Sequence, residues 1–101
     1  FLTSRESFDT LGGFDEGYFL HVEDVDLCRR CWATGGRVLY DPGAAVLHYG
    51  STSDAPSNIV QAHKADSLAR YFRKFANGAL DRLVVELTIP FIRLGMWLAR
   101  R

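Results

Sequence analysis

The chain has 101 residues, enough for one small domain, and with 48% apolar and 24% charged residues it excludes a disordered or collagen-like polypeptide. Lys+Arg and Asp+Glu balance at 12 each, so no net field favours nucleic acid or an acidic partner. The two cysteines, Cys28 and Cys31, make no disulfide framework, which points to a reducing cytoplasmic compartment, and no signal peptide is visible.

In chain order, "SRESFDTL" (4–11) predicts a short helix with Ser4 as N-cap, stopped by Gly12 and Gly13. "FDEGYFLHV" reads as a loop with aromatic anchors, Phe14 inside the core and Tyr18 and Phe19 either core or ligand platform. Residues 23–34, "EDVDLCRRCWAT", predict a second helix ended by Gly35 and Gly36. "RVLYD" and "AAVLHY" are short strand candidates around the turn signal Asp41-Pro42-Gly43, and a polar loop follows. From about Ile59 to Asn77 apolar residues recur at one-face helical spacing, with Gly78 as C-cap. Residues 79–100 predict a last helix, kinked before Pro90.

The second helix carries three acidic residues in four positions: Glu23, Asp24 and Asp26. On a helix Asp24, Leu27, Cys28 and Cys31 share a face that is apolar apart from Asp24, which predicts Asp24 at the edge of a buried surface. Glu23 and Asp26 then point elsewhere, and Asp26 is placed to pair with Arg30. Two roles for Asp24 are open on spacing alone: a helix cap that accepts backbone N–H bonds, or a partly desolvated general base. Cys28 and Cys31 lie mid-helix on the apolar face, which favours small packing residues over zinc or redox chemistry.

The stretch "GGFDEGYFLHVEDVDLCRRCWATGGRVLYDPGAAVLHYGSTS" resembles the C-terminal half of the catalytic domain of family 2 glycosyltransferases, closest to the rhamnosyltransferase-like group. The matching motifs are Gly12 to Glu16, Tyr18 and Phe19, Glu23-Asp24, Asp26 to Cys28, Arg30, Gly35, Tyr40 with Pro42, and Val46 with His48. They occur in order over about residues 4–53. The resemblance implies a partial GT-A, α/β fold, mostly helical with a few short strands, followed by C-terminal amphipathic helices. It implies an acceptor-side half-domain over 1–58 and a helical extension over 59–101. The chain begins at Phe1 without a Met and opens like the middle of a domain, so a piece of a longer enzyme is expected.

For function, the resemblance implies an inverting transferase that moves a sugar from a nucleotide-diphospho-sugar to a glycan or lipid-linked acceptor in bacterial polysaccharide synthesis. Asp24 takes the role of catalytic base, Glu23 that of a supporting carboxylate. Gly12, Gly13, Tyr18, Phe19 and Arg30 are expected at the substrate, and His48 beside a divalent Mn²⁺ or Mg²⁺. The D-x-D that would complete such a metal site is not in this chain, because Asp24-Val25-Asp26 belongs to the ED motif; the chain alone is expected to hold no metal and to be inactive.

In the last segment Arg82, Glu86, Arg93 and Arg100 fall on one polar stripe and nearly everything else is apolar. That face needs cover: the cytoplasmic membrane surface, another part of the protein, or a second copy in a homo-oligomer. The alternative to an enzyme is a non-enzymatic helical module for dimerisation or membrane docking.

Overall fold

The computed structural model describes residues 1–47, 49 and 56–99. The described residues form four helices: α1 (Arg5–Thr10), α2 (Glu23–Ala33), α3 (Ser57–Phe75) and α4 (Gly78–Leu98). Ser4 caps α1 as predicted, its hydroxyl accepting from the Ser7 N–H at 3.1 Å. Gly12 and Gly13 both adopt positive φ, and the Gly13 N–H closes the helix on the Phe8 carbonyl at 2.9 Å. Phe14 packs edge-on against Phe8, with ring centroids 5.3 Å apart, but remains half-exposed and is not the core residue expected. Its neighbours are the short α1 and the chain start, too little surface to enclose a ring.

No strand forms among the described residues. The Asp41-Pro42-Gly43 turn is present, with the Asp41 carboxylate accepting from the Gly43 N–H at 2.8 Å. Its flanks, 37–40 and 44–47, run as exposed irregular chain. A strand exists only through a ladder to a neighbour, and the described residues offer these flanks none.

α3 and α4 form an antiparallel hairpin through Ala76 and Asn77, entered at Gly78 with φ +91°. The predicted C-cap glycine is thus the first residue of α4. Two cross-helix ion pairs span the hairpin: Arg73 grips Glu86 through two bonds of 2.6 and 2.7 Å, and Arg93 meets Asp66 at 3.0 Å. Between them Ala69 and Ile89 are buried, the alanine letting the backbones approach. α4 continues through Pro90, whose missing N–H leaves only the carbonyl of exposed Glu86 without its helical donor. No described helix is long and apolar enough to cross a membrane.

Among the described residues the buried set is small: Tyr18, Leu27, Ala65, Ala69, Ile89 and the polar Asp26 and Ser67. Its largest fully enclosed side chain is a carboxylate, Asp26. The radius of gyration is 15.8 Å. A compact chain of this length would have about 13 Å, so broad surfaces stay uncovered.

Candidate functional site

The segment that leads into α2 is strained. His21 and Val22 both have positive φ, 65° and 75°, a conformation costly for any residue with a Cβ and most of all for a branched one. Val22 starts α2 and, being apolar, supplies no side-chain cap. The twist brings Glu23 and Asp24 onto the first turn of α2, where the helix dipole favours negative charge.

The two carboxylates of the ED pair part company there. Asp24 is exposed; its Oδ1 accepts from the Val25 N–H at 2.8 Å, and the residue lies on the rim of a groove of about 370 Å³ shared with Val25, Cys28, Arg29, Trp32, Val38 and Tyr71. Glu23 is half-buried, and its Oε2 is enclosed with no hydrogen-bond partner among the described residues. A buried oxygen without a donor is expensive to keep.

The burial expected for Asp24 falls instead on Asp26. Its carboxylate is wholly enclosed and takes three donors: Tyr18 Oη at 3.2 Å and Lys74 Nζ at 2.7 Å on Oδ1, and Arg30 Nε at 2.7 Å on Oδ2. The pairing with Arg30 is the expected one. The inward orientation is not, because it depends on α3 lying against that side of α2 and delivering Lys74. Burial pushes the Asp26 carboxyl up, but the bonds from Lys74 and Arg30 outweigh it and hold it below the usual range.

Lys74 also donates to Asp15 Oδ2 at 2.7 Å, and Arg70 meets both oxygens of Asp15 at 2.9 and 3.1 Å. The Lys74 bond is the main reason the Asp15 carboxyl lies well below the ordinary carboxylate range. Burial and the neighbouring Asp26 charge push the Tyr18 hydroxyl above its usual range. Desolvation opposes the Lys74 charge, yet its bonds to Asp15 and Asp26 carry the ammonium above its ordinary value. Gly17 leaves room for the Arg70 side chain: a Cβ at this position would sit 2.1 Å from the Arg70 guanidinium, which would have to shift.

Among the residues expected at the substrate, Arg30 has each of its three nitrogens engaged within the chain. Nε binds Asp26, Nη1 donates to the Leu11 carbonyl and Nη2 to the Gly13 carbonyl at 2.7 Å. It clamps the α1 stop to α2, since its planar fork matches three acceptors at once. Gly12 and Gly13 serve as that stop, with the Gly13 carbonyl taken by Arg30. Tyr18 is buried with its hydroxyl on Asp26. Phe19 is 79% exposed and stacks one way on His63, ring centroids 4.3 Å apart. His48 lies outside the described residues. Cys28 and Cys31 are free and half-buried, in keeping with packing residues, and no group of three His, Cys, Asp or Glu gathers among the described residues as a metal site would require.

Residue patterning did not single out Asp15, Arg70 and Lys74. The available signal was two cations four apart on α3, on a helix read only for its apolar face. Ser67, donating to the Leu20 carbonyl at 2.8 Å, and Arg29, whose guanidinium lies 4.4 Å over the Phe75 ring, add further ties between α3 and the 15–30 region. The expected domain boundary at 58/59 falls inside α3, two residues past its start at Ser57.

Comparison with known proteins finds the chain 42% identical over 67 residues to an N-acetylglucosaminyl-diphospho-decaprenol L-rhamnosyltransferase of Mycobacterium tuberculosis, covering 63% of this chain and 22% of that protein. It is 45% identical over 48 residues to the rhamnosyltransferase WbbL of Escherichia coli K12, covering 48% of this chain and 18% of that protein. The chain thus spans about a fifth of the length of the curated relatives it matches. No family model matches it, and no solved structure does.

Proposed function

We propose that this chain is part of an inverting glycosyltransferase that moves a sugar, rhamnose by analogy with its relatives, from a nucleotide-diphospho-sugar to a lipid-linked glycan acceptor. The observation that carries the reading is the 42% identity to an enzyme whose name specifies a diphospho-decaprenol acceptor. Three features of the ED turn support it: the strained His21-Val22 entry, the orphaned Glu23 oxygen, and Asp24 open to a groove.

In this reading Asp24 is the general base. Its Oδ2, free of the Val25 bond, takes the proton of an acceptor hydroxyl; the resulting oxygen attacks the anomeric carbon from the side opposite the diphosphate, whose bond to that carbon breaks. Arg30, Asp26 and Lys74 hold α2 so that Asp24 keeps its aim, a positioning task. His48 is proposed as a metal-side residue of the longer enzyme. The described residues by themselves form no ligand set that fits a divalent ion.

The test is Asp24→Asn in an active enzyme that contains this segment. Turnover should fall by at least about 10²-fold with the helical signal unchanged, the usual scale for a lost general base. Near-normal turnover would remove Asp24 from the chemistry.

A further inference from the structure

α4 carries two seams. One faces α3, through Glu86, Ile89 and Arg93. The other consists of Leu80, Val84, Leu87, Phe91, Leu94 and Leu98, each more than half exposed. At about 100° per residue it lies roughly 150° around the helix from the first. Nothing described covers it.

Its spacing is 4-3-4-3-4, an apolar repeat of 3.5 residues. Leucine stands at every seventh position, 80, 87 and 94, and Val84, Phe91 and Leu98 alternate with it. That period matches a facing helix, whose side chains fill the holes between successive knobs. The flanking positions argue against a lipid surface. Helices that lie on anionic membranes border their apolar face with Lys and Arg. Here the borders are Asp81, Thr88 and Gly95 on one side and Leu83, Pro90 and Trp97 on the other, while Arg93 is engaged with Asp66 on the α3 side.

We propose that this face is a self-association surface, occupied by the same seam of α4 from a second copy of the chain. The seam carries no charge that would select a different partner, and two copies related by a two-fold axis bury it against itself. Counting Leu83 and Trp97 at its edge, the strip amounts to on the order of 1,000 Å² in total, the size of a weak, reversible interface. The expected species is a reversible, concentration-dependent dimer. α3 backs the helix on its other side, so the surface exists before association. The inference does not rest on the reading of Asp24.

Sedimentation equilibrium of the 101-residue chain, from low micromolar to hundreds of micromolar, tests it. The mass should rise from one chain to two across that range. The double variant Leu87→Glu, Leu94→Glu should stay monomeric with unchanged helical ellipticity. A second, helix-compatible variant, Leu87→Ala with Leu94→Ala, should weaken the dimer at least about tenfold and controls for loss of folding. Wild-type chain that remains monomeric throughout would overturn the proposal, as would a dimer that either folded variant leaves intact. A monomer that floats with vesicles of anionic phospholipid would overturn it in favour of lipid.

Discussion

Replacing Asp26 by Asn keeps its shape and removes its charge, and the structure sets the cost. The native carboxylate is fully enclosed and accepts from Tyr18, Lys74 and Arg30. An amide offers one acceptor oxygen and turns an NH₂ toward one of the donors. Breaking a buried ion pair outright costs about 3–5 kcal/mol. Here the cations are not stranded: Lys74 keeps Asp15, Arg30 keeps two carbonyls, and both side chains retain some exposure to water. The expected loss is therefore smaller, about 2–3 kcal/mol, the scale of hydrogen bonds to charged groups. For a domain of this size that is a fall in Tm of roughly 10–20 °C. Urea unfolding followed by tryptophan fluorescence and far-ultraviolet circular dichroism measures it. Pairing the substitution with Lys74→Met in a double-mutant cycle should show a coupling above about 0.5 kcal/mol. A variant within about 0.5 kcal/mol of the parent, or additive effects in the cycle, would refute the view that Asp26 ties α2 to α3.

The same network fixes a pH profile. Asp15 and Asp26 are held below their ordinary values, so their stabilisation is present above about pH 4 and is lost as pH falls through their folded values. Tyr18 and Lys74 are raised, so theirs is present below about pH 10 and is lost as pH rises beyond it. The urea midpoint should form a plateau between those limits and decline on both sides, and an acid limb that is flat down to about pH 2.5 would contradict the assignment. Arg30→Lys replaces a three-way fork by a point charge that cannot span Asp26, Leu11 and Gly13, and should cost about 1–2 kcal/mol with faster proteolysis after the α1 stop. Equal stability and equal cleavage would show that the clamp contributes nothing.

What could be read from the sequence lies within a few residues along the chain. Ser4 caps α1 because its hydroxyl reaches an N–H three residues on. Gly12 and Gly13 stop it because they accept positive φ. The Asp41 turn closes on Gly43, and Asp26 finds Arg30 one helical turn away. The motif residues around Glu23-Asp24 were legible by resemblance for the same reason: they are contiguous.

Only the tertiary structure decided which of the clustered acids would be buried. A helical wheel ranks faces by apolar content, and it put Asp24 at the edge of the buried face and Asp26 away from it. The choice reversed because Lys74, 59 residues beyond Asp15, brings a cation that bridges both Asp15 and Asp26, and no local pattern encodes its arrival. The flanks at 37–47 remain irregular because a strand has no local existence, only a paired one. On α4 the polar stripe was visible in the sequence, but not what it would meet. Glu86 and Arg93 found Arg73 and Asp66 on α3, Ile89 was buried between them, and the leucine seam was left outside. Period sets which residues share a face; the packing partner, here α3 with Ala69 against Ile89, sets which face is covered.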